Sequence, residues 1–297
     1  ADGWVTHQLR LHSISLRDIE FAVDDPNTLY ASSRYTVYKS TDAALDWDGL
    51  SNSTDLPNSN AWQRVELAVS EDDPDLVYAL FARSDISPTI SGYHELYLSN
   101  DGGASFAMQS SGENIVSDQA WFNLNLLTEP GNPSVLYLGA VNLYKSTNMG
   151  LNFTALTNEG SSPVIHADIH DLEYVNGQLF TGTDGGICRS NIGCLSFSNI
   201  SNGLTVQQYY YIDVKQYEIM GGTQDNGTFR WFSTDANLES VFGSDGFECL
   251  FHPDDSGQYV STQFNRWRRL STDAQWVKFT PPTQQNNIWQ GTWLMHP

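Results

Sequence analysis

The sequence predicts an all-β fold assembled from one repeated four-stranded unit. A turn motif of the form Ser-x-Asp-x-Gly-x-x-aromatic returns along the chain, most fully at Ser99-Asn100-Asp101-Gly102-Gly103-Ala104-Ser105-Phe106. Short runs rich in apolar, β-branched and aromatic residues recur at fixed places around it. No segment carries the 3.6-residue apolar period of a long helix. A repeat of this kind means a stacked or circular array of one small unit.

The motif reads as a hairpin turn. Strand-like segments lead into it at Val37-Tyr38-Lys39-Ser40, Leu96-Tyr97-Leu98-Ser99 and Leu143-Tyr144-Lys145-Ser146, and the closing aromatic opens another strand. Ser and Asp side chains hydrogen-bond their own turn backbone, and Gly supplies positive φ. Further copies stand at Ser146-Thr147-Asn148-Met149-Gly150-Leu151-Asn152-Phe153 and, with Ala for Gly, at Ser40-Thr41-Asp42-Ala43-Ala44-Leu45-Asp46-Trp47. Weaker ones begin at Ser233 and Ser271, and the stretch from Ser190 to Phe197 spoils the pattern.

A first strand is expected at 19–23, 65–69, 121–126, 169–174, 209–214, 247–251 and 293–295. A second follows at 28–31, 76–80, 135–139, 179–182, 219–222 and 259–262. With the strands on either side of the turn motif, this gives four strands per unit of roughly 40 to 60 residues, the blade pattern of a β-propeller. The fold expected is a single propeller domain over residues 1–297, with about six blades plus the first strand of a seventh. Trp4 and the stop at Pro297 are read as an array that continues past both ends of the sequence, the alternative being that Trp4 opens an outer strand that closes the ring with the last blade.

The chain carries 35 acidic residues against 14 Lys and Arg, a net charge of −21. That disfavours nucleic acid and anionic membranes as partners. No apolar run is long enough to span a bilayer. Of three cysteines, Cys188 and Cys194 flank a hairpin, where either a disulfide or free thiols are compatible with the spacing. Asn-x-Ser/Thr sequons begin at Asn52, Asn152, Asn199 and Asn226.

Residues 163 to 250 depart from the repeat. Alternation along a strand puts His166, Asp168 and His170 on one face. The set is open to three readings: a metal site, an acid–base cluster, or satisfied polar groups lining a wet channel. Calcium, held by Asp168 and Asp184 with carbonyl oxygens, is the cation expected if one binds. Asp184, in Gly182-Thr183-Asp184-Gly185-Gly186, and Asp225, in Gly222-Thr223-Gln224-Asp225-Asn226-Gly227, align in equivalent turns of adjacent units. Asp-Gly turns such as these and Asp245-Gly246 are common hairpin chemistry. As chemistry, Asp184 and Asp225 are the candidate catalytic pair, with His166, His170, Gln224, Asn226 and Asp245 as candidate ligand contacts.

The turn motif resembles the Asp-box, or bacterial neuraminidase repeat, of β-propellers such as sialidases, xyloglucanase-type glycoside hydrolases and sortilin-type receptors. The run from Gln119-Ala120-Trp121-Phe122 through His166-Ala167-Asp168-Ile169-His170-Asp171-Leu172 to Gly222-Thr223-Gln224-Asp225-Asn226-Gly227-Thr228 is similar to large secreted propellers of marine Bacteroidetes that carry type IX secretion sorting domains. The resemblance implies export and this fold, and assigns no catalytic residue. The Arg-Ile-Pro segment usual in sialidases is absent. An inverting hydrolase needs two carboxyls about 6.5 to 9.5 Å apart, and aromatics such as Trp121, Tyr209, Tyr210, Trp267 and Trp289 either stack on sugar rings or pack the core. The function expected is a secreted or cell-surface binding and scaffold module for a polysaccharide or an extracellular protein. The alternative is a glycoside hydrolase using paired aspartates.

Overall fold

The computed structural model describes residues 15–50, 55–83, 92–157, 164–204, 206–252, 257–263, 265–270, 272 and 275–279. Among them there is no α-helix, and the strands form six four-stranded antiparallel sheets, each a meander in chain order. The chain groups into two compact units, Ala1–Asn202 with four sheets and Gly203–Pro297 with two.

In the first unit, blade 1 comprises β1 (Asp18–Phe21), β2 (Leu29–Ser32), β3 (Val37–Ser40) and β4 (Asp48–Gly49). Blade 2 comprises β5 (Arg64–Val69), β6 (Leu76–Arg83), β7 (Tyr93–Asn100) and β8 (Ala107–Glu113). Blade 3 comprises β9 (Asn125–Glu129), β10 (Asn132–Gly139), β11 (Leu143–Ser146) and β12 (Thr154–Ala155). Blade 4 comprises β13 (Ile169–Val175), β14 (Gln178–Thr183), β15 (Gly186–Ser190) and β16 (Phe197–Asn199). In the second unit, blade 5 comprises β17 (Tyr209–Lys215), β18 (Glu218–Thr223), β19 (Gly227–Phe232) and β20 (Glu239–Phe242). Blade 6 comprises β21 (Cys249–Phe251), β22 (Gly257–Ser261), β23 (Arg266–Leu270) and β24 (Val277–Phe279). The expected first strand at 293–295, Trp4, Trp289, the motif copy starting at Ser271 and the sequon at Asn52 lie outside the described residues.

Within the first unit the first strands of successive blades run side by side, β1 by β5, β5 by β9 and β9 by β13. Side chains stitch them. Leu67 N donates to Asp18 Oδ2 (2.7 Å), Arg64 Nη2 to Leu124 O (2.9 Å), and Asn125 Nδ2 to His170 O (2.8 Å). The second unit repeats the device, with Phe251 N donating to Asp213 Oδ2 at 2.7 Å. Apolar clusters fill the gaps between blades: Val37 with Leu67 and Phe81, Leu80 and Leu96 with Leu124 and Leu136, Leu143 with Ile169 and Leu179. The large second-strand tyrosines Tyr30, Tyr78 and Tyr137 are fully buried there.

The turn motif is a hydrogen-bonded fastener in each of the first three blades. In blade 2, Ser99 Oγ donates to Asp101 Oδ1 (2.8 Å) and accepts from Gly103 N (2.8 Å). Asp101 in turn accepts from Ser105 N (2.8 Å) and Ser105 Oγ (2.6 Å), which hold its carboxyl down at about 2. Blade 1 uses Ser40 and Asp42 identically, and blade 3 uses Ser146 and Asn148. Blade 4 corrects the sequence reading. There Asn191, one place earlier than the usual acid, accepts from Leu195 N (2.8 Å) and Ser196 N (2.9 Å), so the turn persists with a shifted acceptor. Cys188, Cys194 and Cys249 are all free and buried, which removes the disulfide alternative. Cys194 instead receives hydrogen bonds from Tyr137 Oη (3.2 Å) and shares one with Ser190 Oγ (3.4 Å).

Ser99 is 1% exposed, so Ser99→Ala strands the Gly103 amide in a dry turn. The expected loss is about 1 to 3 kcal/mol. It is read as a lower urea midpoint at unchanged slope; an unchanged midpoint removes the fastening role.

Two strand assignments shift. Residues 121–123 are not the start of β9. Phe122 N and Asn123 N both fold back on Gln119 O (2.8 and 3.3 Å), making a turn that leaves Trp121 and Phe122 outside the core. Phe247 and Glu248 likewise precede β21.

Candidate functional site

In a four-stranded meander the first and third turns share one end of the blade, and the second turn shares the other end with the link from blade to blade. The fasteners are third turns and dock on the first turn of their own blade, as Ala43 N does on Asn27 O (2.9 Å) and Gly102 N on Asp75 O (2.9 Å), or on the start of the second strand, as Met149 N does on Ser134 O (2.8 Å). Every candidate site residue lies at the opposite end. Asp184 and Asp225 are both in second turns, while Asp168 and Asp245 are in links.

In the first unit, the expected strand face of His166, Asp168 and His170 does not form, because β13 starts only at Ile169. Asp168 takes φ +64°, a left-handed conformation open to Asp and Asn, and this breaks the alternation. The turn sends the three side chains apart. Asp168 Oδ1 accepts from Asn123 Nδ2 (2.5 Å) and from Gln119 Nε2. His170 Nε2 meets Asp184 Oδ1 at 2.8 Å, and its ring stands edge-on to Phe122 at 4.8 Å. His166 lies over Gly185, where a Cβ would come within 2.5 Å of the imidazole's own Cβ. The four groups are still electrostatic neighbours. Burial, then the Asp184 charge, raises the Asp168 carboxyl above its usual range, against the Asn123 hydrogen bond and the two imidazoles.

Gln119 and Asn123 were not legible as site residues. Asn123 is fully buried, and its Oδ1 has no hydrogen-bond partner. Beside it, a pocket of about 360 Å³ is lined by Asn114, Ser117, Asp118, Gln119, Asn142, Tyr144 and Asp168, among others. Trp121 is 56% and Phe122 43% exposed, their rings 5.6 Å apart. The nearby Arg64 is committed to Glu66 (2.8 Å) and to the Phe122 and Leu124 carbonyls.

The second unit gathers Gln224, Asp225, Asn226 and Asp245. Asp225 N donates to Asp245 Oδ1 (2.6 Å), Gln263 Nε2 donates to Asp245 Oδ2, and Asn226 Nδ2 donates to Gln224 O (3.1 Å). Gly227 and Asp245 form a parallel bridge. Tyr210 stacks on Phe247 at 5.0 Å, and burial with the Asp245 and Asp225 charges raises its phenol. Much of this chemistry is occupied in holding the link against the turn. Among the described residues, no three His, Cys, Asp or Glu side chains converge as metal ligands.

A second cavity in the first unit, about 340 Å³, lies among the first strands of all four blades. Its walls include Asp18, Glu20, Glu66, Glu71, Asp171 and Glu173. Burial, with neighbouring carboxylates, pushes Glu20 and Glu66 up to about 8; Arg64 opposes this at Glu66.

No protein-family model matches the sequence, and no curated protein matches it. Solved structures do. A family 74 xyloglucanase from Xanthomonas campestris aligns over 93% of this chain with a TM-score of 0.52 and 12% identity. An ancestral enzyme of the same family aligns over 93% at 15% identity and 0.49, and the extracellular domain of a one-component system from B. thetaiotaomicron over 97% at 11% and 0.45. This chain spans 47%, 42% and 36% of those chains respectively. No helix of the described residues is long and apolar enough to cross a membrane. At such identities the likeness establishes the fold alone: the chain is an all-β propeller of four-stranded blades.

Proposed function

We propose that the chain is a secreted or cell-surface propeller module that binds a polysaccharide at the link end of blades 3 and 4. The observation that carries this is the placement of Trp121 and Phe122. Two large aromatic rings are left in solvent in one turn: Phe122 stands edge-on to His170, the partner of Asp184, and Gln119 of the same turn lines a polar pocket with Asp168. Flat apolar rings next to convergent polar groups are what a sugar face and its hydroxyls require. Titration against a panel of soluble polysaccharides tests it. Trp121→Ala is expected to weaken binding about tenfold or more while leaving the thermal midpoint in place, because the ring is outside the core. Binding lost after chelation and restored by calcium is the result a calcium-assisted site at Asp168 and Asp184 gives.

A hydrolase is the second reading, favoured by one observation. The Asp168 carboxyl is raised by burial and by the adjacent Asp184 charge, and a raised carboxyl beside a second one is the arrangement an acid–base pair uses. The candidate pair Asp184 and Asp225 stands one residue in each unit. Asp184→Asn and Asp225→Asn are both expected to keep the native near-ultraviolet circular dichroism. Release of reducing ends by the parent and not by Asp184→Asn supports catalysis. Binding without release leaves a recognition module.

A further inference from the structure

Resting on the polysaccharide reading of the same site, we infer that the pocket between the 114–123 segment and Asp168 takes a sugar carrying a free amine, an amino sugar held as its ammonium. Among the pocket's described lining groups, Asp118 and Asp168 are the acids and there is no Lys or Arg; the imidazoles of His166 and His170 are the basic groups acting on Asp168. The guanidinium nearest the aromatic turn, Arg64, is already bound to Glu66 and two carbonyls. An anionic glycan finds no Lys or Arg counter-charge among these groups. A neutral one leaves two carboxyls without such a partner in a half-enclosed space.

The amide side of the site points the same way. Behind the pocket, Asn123 is wholly buried, donates its amide to Asp168 and leaves its Oδ1 unpartnered, while the amides of Gln119 and Asn142 line the pocket itself. An ammonium brings three donors and no acceptor, the complement of a wall of carboxyl, amide and carbonyl oxygens. Trp121 and Phe122 supply the other half of the fit, since a ring face attracts a cation as well as the C–H face of a pyranose.

Isothermal titration of the purified chain with four oligosaccharides of equal length tests this: a glucosamine oligomer, its N-acetylated form, a glucose oligomer and a galacturonate oligomer. The expected result is binding of the glucosamine oligomer at least about tenfold tighter than of the other three. Asp168→Asn, a substitution suited to the left-handed backbone there, is expected to erase the preference. Trp121→Ala weakens binding of every oligomer that binds. Attraction to a net charge of −21 alone is indifferent to both variants, and that outcome overturns the inference. Equal binding of the N-acetylated or glucose oligomer also overturns it, while the polysaccharide reading stands. Failure of all four to bind sinks both. A lysine-rich peptide bound with the same dependence on Asp168, where glucosamine is not, replaces the amino sugar with a protein partner.

Discussion

Glu20→Gln is expected to stabilise the first unit at pH 8 to 9 and to flatten its dependence on pH. Glu20 sits in the cavity among the first strands, with Asp18 on its own strand, Arg64 and Glu66 on β5, Asn125 on β9 and Asp171 and Glu173 on β13. Burial and three neighbouring carboxylates raise its pKa from 4.5 to about 8. A carboxyl raised in this way binds its proton more tightly in the fold than in the unfolded chain. Its contribution is therefore complete below about pH 4.5 and is lost as pH rises through about 8. Across that window each unit of pH withdraws up to about 1.4 kcal/mol for each such group. Gln keeps the shape and cannot ionise. The thermal midpoint of the variant should exceed that of the parent by several degrees at pH 8.5, at about 2 to 4 °C per kcal/mol for a unit of this size. Near pH 4.5 the two should coincide. Parallel curves for parent and variant across the range would show that the cavity holds its carboxylates ionised at no cost. Glu66 is the poorer probe, because its removal also strips Arg64 of its partner.

Gly222→Ala is expected to abolish the fold of the second unit. Gly222 lies within β18, paired to Tyr211 on one side and Thr228 on the other. A Cβ there would stand 1.9 Å from Phe247 O and 2.7 Å from Gly246 O. Both obstacles are backbone, so no rotamer change relieves them. Gly246 N bonds Thr223 O at 2.8 Å in the same crossing, so moving the link breaks it. A cost of about 4 kcal/mol or more is expected, at the grave end for single substitutions. Gly243→Ala is the control, because nothing lies within 4 Å of its Cβ position. Loss of ordered Trp231, Trp267 and Trp276 fluorescence in the first variant and its retention in the second is the signature. A Gly222→Ala protein that melts with the parent would mean the link does not cross there.

The blades were legible because their signals are local. Hairpin chemistry and apolar alternation each act over a few residues, so Ser99 and Asp101 announce their turn from sequence alone. The equivalence of the turns at Asp184 and Asp225 was legible for the same reason. The site was less so. His166, Asp168 and His170 share a face only if the backbone stays extended, and the left-handed turn at Asp168 is not written in an Ala-Asp-Ile sequence. Gln119 and Asn123 reach Asp168 across 49 and 45 residues of chain, through packing of blade 3 on blade 4 that no local pattern encodes. Trp121-Phe122 imitates the apolar opening of a strand. Only the return of two amides to Gln119 O separates it from one.

The fasteners have a consequence for how such a chain lengthens. Tyr30 of blade 1 donates to Gly102 O in the blade 2 turn (2.7 Å), Ser110 of blade 2 to Gly150 O in the blade 3 turn (2.6 Å), and Tyr137 of blade 3 to Cys194 in the blade 4 turn (3.2 Å). Within the first unit, blades 1 to 3 each reach forward to grip the next blade, and blades 2 to 4 each offer the turn that is gripped. A gene segment duplicated in register at blade length brings both halves of that joint with it. The array can grow by copying without inventing an interface, and it does so with a fixed polarity.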